Sequence, residues 1–443
     1  MVEYTDKSIF YFLFTFFRKK YIYKYKKYNL GDKKFMKKIN LKNGITLILE
    51  KTESNLVSFG YTVKAGSNNE NENQHGIAHL VEHMMFKGTT TKKYYEINKQ
   101  IESVGGYLNA YTCQNVTRYY CTIPSEYWKI GADTITDMIY NNTIPDEELK
   151  KEKKVVEEEI TMYDDKPNCY LENRMYEQLF KDYHNRRSIT GTVEEVDSYT
   201  RDDVINFISQ HYYPSNFIIT IVGGFDEDEA EKYIIKKKKK NSKNINFTEY
   251  NNEVKEFKPY NLESKVYEYK KSDVNQILVQ FAMFLPGMNT EDWAALTVLN
   301  NIIGGNASSI LYNEIREKLG LCYHISSRIT FMSDVSILSG YAGVNKNSNT
   351  IIEDIKKLLF SLKDRITDEM IENSKKYVNG ISLMENETVD QINDLISIKE
   401  VNGIETTLEE DAEEVNKVTK QDVFNVIDKY VKEENICFFK LTK

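Results

Sequence analysis

The stretch His75-Gly76-Ile77-Ala78-His79-Leu80-Val81-Glu82-His83-Met84-Met85-Phe86-Lys87-Gly88-Thr89 constrains this chain more than any other part of it. It holds H-x-x-E-H, the inverse of the H-E-x-x-H zinc signature. On a helix, His79 and His83 stand one turn apart on a shared face, so both imidazoles can reach one metal. Glu82 follows His79 by three residues and lies on that face too. A carboxylate there can take a proton from a water that zinc has acidified to a pKa of about 7. Ring nitrogens favour a borderline metal such as zinc over calcium or magnesium. The same three residues also fit a half-exposed helix whose histidines bond to backbone. Against that, Ala78, Leu80, Val81, Met84, Met85 and Phe86 make the setting apolar, and ionisable groups in such a setting need partners. A third protein ligand decides between the two.

Residues 147–163 follow the breaker Pro145 and read as a helix containing Glu157-Glu158-Glu159. Neighbours at three and four residues separate the three carboxylates. Glu157 sits among Lys153, Lys154, Ile160 and Thr161 and Glu158 among Lys154, Val155, Thr161 and Met162, and both read as a solvated face. Glu159 sits among Val155, Val156, Met162 and Tyr163, which makes it the buried one, and a buried carboxylate must be paired or bound to metal. Glu152 lies two turns earlier on the same face, where it can orient a ligand histidine from behind.

These motifs together resemble the pitrilysin-type inverzincin metallopeptidases, in particular the half-length branch with the mitochondrial processing peptidase and its bacterial relatives. The family's Gly-Ser and acidic run before the motif is matched by Ala65-Gly66-Ser67-Asn68-Asn69-Glu70 and Gly76. Its HMxFKGT tail is matched by residues 83–89. Glu159 falls at the family's distal glutamate and Glu152 at its supporting acid. The resemblance runs from about Lys37 to the C-terminus. It implies one zinc ion per chain held by His79, His83 and Glu159, with Glu82 as general base. It also implies an N-A-Y-T edge strand, Asn109-Ala110-Tyr111-Thr112, onto which an extended peptide adds. Asn109, Ala110 and Phe86 are then substrate-binding residues. Where the family usually has Arg-Glu before the next Thr, this chain has Gln114-Asn115, which leaves side-chain preference open.

The expected fold class is α+β, with two homologous α/β domains. Each is an antiparallel-rich sheet with helices on one face, and together they form half of a clamshell. In the first, residues 39–42 and 45–49 flank the hairpin signal Asn43-Gly44, residues 56–64 are the next strand, and residues 117–123 follow the edge strand. Helical patterns cover residues 95–104, 130–140, 171–180 and 201–211, and residues 217–222 are a strand. The second half repeats this order, with a strand at 277–284 and a helix at 293–303. There Leu296-Thr297-Val298-Leu299-Asn300 stands where the first half has its ligands, so no metal is expected. The run at residues 308–323 resembles the family's R-E-x-x-G-L-x-Y signature. By that resemblance Arg316 and Tyr323 reach across a closed chamber, Arg to a peptide carbonyl and Tyr to the oxyanion. Read alone, they are a surface Arg and a strand Tyr. Helices at 351–362, 367–383 and 421–431 and a strand at 436–441 complete the chain. The domain limits read as 36–235 and 263–443, joined by a polar linker at 236–262.

A chain of 443 residues with 41% hydrophobic content can bury sizeable cores. Its net charge of −8 argues against nucleic acid as a partner and suits basic peptides. Five cysteines with no C-x-x-C pair read as reduced thiols of a cytoplasmic protein. Residues 1–35 are expected to be an extension outside the fold, with an interfacial anchor as the alternative. The apolar run at 8–17 is too short to span a bilayer, which takes about 20 residues, so no stable membrane span is expected. His184, His211, His75 and His324 read as structural. The function expected is a zinc-dependent endopeptidase acting on extended peptides or presequences. Because one sequence carries both the zinc motif and the Arg/Tyr run, the expected partner is a second copy, in a homodimer. A catalytically silent peptide-binding or scaffold subunit is the runner-up, and a leader-peptide protease with a dedicated peptide is a third reading.

Overall fold

The computed structural model describes residues 36–181, 183, 188–241, 257–344 and 350–443, with the side chains at 237–241 excluded. The N-terminal extension, His184 and most of the polar linker lie outside these residues.

The first sheet contains β1 (Lys37–Asn40), β2 (Thr46–Lys51), β3 (Leu56–Val63), β4 (Tyr107–Thr112), β5 (Thr117–Pro124) and β6 (Phe217–Gly223), in the order β1-β2-β6-β3-β5-β4. The β1–β2 hairpin turns at Asn43-Gly44, where Gly44 takes φ +96°. β2 and β6 run parallel, and the other neighbours are antiparallel. β4 closes the order, so its outer edge pairs with no strand among the described residues.

Helices α1 (Ile77–Met85), α2 (Tyr94–Glu102), α3 (Trp128–Asn141), α4 (Asp146–Asp165), α5 (Pro167–Phe180), α6 (Val193–Ser198), α7 (Arg201–His211) and α8 (Glu227–Asn241) accompany this sheet. Pro167 at the first position of α5 ends α4 and starts its successor. Thr192 and Thr200 cap α6 and α7, each accepting from a backbone N–H in the first turn. All of these helices except α5 pack on one face, where alternate residues such as Phe59, Tyr61, Tyr119 and Ile219 meet Leu80, Met84 and Ile135.

The second sheet holds β7 (Val266–Lys270), β8 (Ile277–Pro286), β9 (Cys322–Thr330), β10 (Val335–Val344) and β11 (Cys437–Thr442), in the order β7-β11-β8-β10-β9. Its helices are α9 (Trp293–Asn300), α10 (Ile351–Phe360), α11 (Leu362–Arg365), α12 (Asp368–Glu385), α13 (Val389–Val401), α14 (Leu408–Lys417) and α15 (Lys420–Tyr430). With β1 set aside, the two sheets agree strand for strand, including the parallel pair β7–β11 against β2–β6. α9 occupies the place of α1, between the second and third matching strands in chain order, and presents Ala295, Leu296, Val298 and Leu299 to its core. The two homologous mixed α/β domains expected from the sequence are therefore present.

Helices on one face alone do not describe the packing fully, because each half lends one helix to the other. α5 covers the outer face of the second sheet, where Leu171, Met175 and Phe180 join Leu278, Phe284 and Phe439 in a separate core. α13 covers the outer face of the first sheet through Asn393 and Ser397. A sheet with two apolar or polar-bonding faces needs two covers, and the exchange supplies the second. Among the described residues no helix is long and apolar enough to cross a membrane.

Candidate metal centre

α1 is buried along its whole length. It starts at Gly76, whose φ of +83° and close approach to Thr190 leave no room for a Cβ, which would stand 2.4 Å from the Thr190 carbonyl oxygen. Gly191 (φ +73°) faces it with the same restriction against the His75 carbonyl. Glu70 accepts from the Gly76 N–H (3.0 Å) and the Ala78 N–H (2.9 Å), satisfying two donors at the positive end of the helix. Sequence reasoning gave Glu70 no such task. The only trace was an acidic residue shortly before an uncapped helix.

His79, Glu82 and His83 are 8%, 6% and 4% exposed. α4 lies against α1 and brings two carboxylates to it. His83 Nδ1 meets Glu152 Oε1 at 3.0 Å, and Lys87 Nζ donates to Glu152 Oε2 at 2.5 Å. Glu159 Oε2 stands 3.5 Å from His83 Nε2 and 3.8 Å from His79 Nε2. Donor atoms of His79, His83 and Glu159 all lie within 4.8 Å of one another. Ligands about 2.0–2.1 Å from a tetrahedral zinc stand about 3.4 Å apart, so the spacing suits that ion. His79 Nδ1 is also buried with no hydrogen-bond partner among the described residues.

Charge supports the same fit. Burial, then the charge of His83, pushes the His79 imidazole down to about 3, which keeps it in the neutral, ligating form. Burial works against protonation of His83 as well. The Glu152 and Glu159 carboxylates outweigh it and raise that imidazole to about 9 in the absence of metal. The same two carboxylates are held below their usual range: their own burial opposes this, and His83 outweighs it, helped by Lys87 at Glu152 and His79 at Glu159. Glu82 goes the other way. Burial lifts it to about 7, although Thr112 Oγ1 donates to its Oε2 at 2.6 Å. Thr112 is the second residue that sequence reasoning left without a task.

Glu159 is less enclosed than its sequence neighbours implied. Its side chain is 15% exposed, and Val155 and Met162 on its flanks are 44% and 42% exposed. The helix buries Val156 and Ile160 instead, so the metal group lies at the border between core and surface. Glu157 pairs with Lys154, and Glu158 is exposed.

On β4, Asn109 and Ala110 are half-buried, and Asn109 Oδ1 accepts from the Ala110 N–H at 2.9 Å. Phe86, at the end of α1, packs on the first core near the Tyr119 ring. Asn115 bridges the halves: it accepts from Asn68 Nδ2 (2.9 Å) and donates to Ser333 Oγ (2.6 Å). Arg316 and Tyr323 lie together on the second half, Arg316 Nε donating to the Tyr323 carbonyl at 2.8 Å. The Tyr323 side chain is 82% exposed. Neither joins the metal group by a hydrogen bond or ion pair among the described residues. His75, His211 and His324 hold structural positions. The His75 ring meets the Glu72 carbonyl, His211 is buried beside Phe207, and His324 meets Ser326.

The insulinase (peptidase family M16) model matches residues 46–193, and the peptidase M16 inactive-domain model matches residues 198–378. A Bacillus subtilis zinc protease, YmxG, is 30% identical over 88% of this chain and 94% of its own. The chain belongs to peptidase family M16. Its fold is that of other M16 proteins. A protease from Helicobacter pylori superposes with a TM-score of 0.85 at 22% identity, covering 92% of this chain and 99% of the other. A chain of Complex III2 from Candida albicans gives 0.76 at 17% identity, with 91% and 95% covered. In M16 terms, the first half carries the His-His-Glu group, and the inactive-domain match begins near α7 and continues into the second half as far as residue 378. The His79-His83-Glu159 group is consistent with the zinc active site of a protease of this family.

Proposed function

We propose that this chain is a zinc-dependent endopeptidase that cleaves extended peptides or presequences, with one zinc ion held by His79, His83 and Glu159. The observation that carries the reading is the convergence of that donor set, a buried Glu82 and the end of a strand whose outer edge is unpaired among the described residues. Zinc bound there would polarise the scissile carbonyl and acidify a water. Glu82 Oε2 is tied to Thr112, which leaves Oε1 to take the proton of the attacking water and hand it to the leaving amine. Glu152 fixes the His83 ring from behind.

The substrate adds to β4 as a further strand, and the backbone of Asn109 and Ala110 aligns it while Phe86 lines its path. One chain forms half of a clamshell, and the exposed Arg316 and Tyr323 serve the metal centre of a second copy in a homodimer. Tyr323 O–H donates to the oxyanion there and Arg316 to a peptide carbonyl.

The test is zinc content per chain beside hydrolysis of a quenched basic peptide, for wild type and Glu82→Gln. Near one zinc in both, with hydrolysis by wild type alone, is the expected result. Equal hydrolysis by both would remove Glu82 from the mechanism, and no zinc in either would leave a scaffold.

A further inference from the structure

Two adjacent residues of β4 point to opposite faces of the sheet and touch different halves of the molecule. Thr112 Oγ1 donates to Glu82 on the inner face. On the outer face, Tyr111 O–H donates to Asp394 Oδ1 of α13 at 2.7 Å. The same oxygen accepts from Arg118 Nη1 at 2.9 Å, and Arg118 is the cross-strand partner of Tyr111 on β5. The Arg118 guanidinium is wholly buried, with Nη2 on Asn393 Oδ1 at 2.6 Å and its plane over the Tyr120 ring. Asn393 is anchored in turn, donating to the Ser58 and Thr220 carbonyls at 2.8 and 3.0 Å. Gly60 is needed beneath it, since a Cβ there would stand 2.5 Å from Asn393 Oδ1.

A buried guanidinium is costly to place, and apolar residues would dock a helix at least as well. What the ionic arrangement provides is direction: a bonded tyrosine and arginine on paired strands allow one lateral position of β4. We infer that Asp394 and Arg118 are positioning residues, which act through Tyr111 to fix β4 and thereby both the substrate edge and the Thr112–Glu82 bond. This rests on the reading of β4 as the substrate edge and Glu82 as the general base. The inactive half of the chain then takes part in the chemistry of its own metal centre, apart from the surface it offers a second copy.

Tyr111→Phe keeps shape while removing the bond, and Asp394→Asn keeps an acceptor there while removing the charge that holds Arg118. Ser397→Ala is the control, since it removes contacts of α13 with Thr220 on β6 and with Asn393 while leaving Tyr111, Arg118 and Asp394 bonded to one another. The zinc-loaded full chain is assayed for kcat and KM, for zinc content, and for hydrogen exchange of the β4 amides. Tyr111→Phe and Asp394→Asn should lower kcat roughly tenfold or more, the scale of a displaced catalytic group. They should also speed β4 exchange while zinc content stays level, and Ser397→Ala should do neither. Exchange and kcat that match the Ser397→Ala control would overturn the inference and leave α13 as a docking helix. If wild type hydrolyses no peptide, the proposed activity fails by itself, and β4 exchange alone decides the positioning claim.

Discussion

Glu152 holds two different partners, and this sets what its loss should do. One oxygen orients His83 and the other is held by Lys87, so the carboxylate can neither turn away nor take a proton easily. Glu152→Gln should lower zinc affinity by roughly 10–100-fold, the usual cost of removing a partner behind a ligand histidine. Competition with a chromophoric chelator measures it, and an unchanged affinity would mean that His83 needs no such support. His211, which is no part of the metal group, offers a separate test of burial. Its imidazole is pushed down to about 4 by burial, whereas the unfolded chain binds that proton near about 6.5. Between those values the unfolded state holds more protons, so stability falls as pH falls and is level above about 6.5. His211→Phe should therefore lose less thermal stability than wild type on going from pH 7 to pH 5. Equal losses would place the acid sensitivity elsewhere.

At the scale of elements, α1 was legible because three signals agree within one stretch: two histidines on one face, an apolar surround and glycines at its entry. The entry itself is unforgiving. Gly76→Ala puts a Cβ into a positive-φ position and against the Thr190 carbonyl, at a cost of about 1–3 kcal/mol or more. Because the turn also aims His79, the melting temperature and zinc affinity should drop together, followed by differential scanning calorimetry and chelator titration. A drop in one without the other would separate the fold of the turn from the ligand it presents. α13 was invisible for the opposite reason. Its covered face carries Asn393 and Ser397, wholly buried, so hydrophobic periodicity has nothing to report. Val155 and Met162 misled in the same manner, since apolar residues beside a carboxylate imply enclosure only where a further element covers them. Asn115 gave no sequence sign that it joins the halves, because its partners Asn68 and Ser333 lie far away in the chain.

At the scale of the whole molecule, the repeated strand order accounts for the division of labour. A duplicated half without ligands keeps the fold, and its α9 is free to be apolar where α1 must be polar. Arg316 and Tyr323 sit on that half, with the Tyr323 ring largely in solvent and so accessible to a second surface. In a two-fold homodimer each metal centre would take Glu82 from one copy and Tyr323 from the other. Glu82→Gln and Tyr323→Ala should each be inactive as pure proteins. Co-expressed, they give mixed dimers in which one centre carries both substitutions and the other carries neither. With random pairing, half the dimers are mixed and half of their centres are intact, so roughly a quarter of wild-type hydrolysis should return. Recovery to that level, with sedimentation giving a dimer, would establish that the centre is shared. No recovery from a mixed sample that does sediment as a dimer would mean that each chain completes its own site, and Tyr323 would then have to reach Glu82 by a movement within one chain.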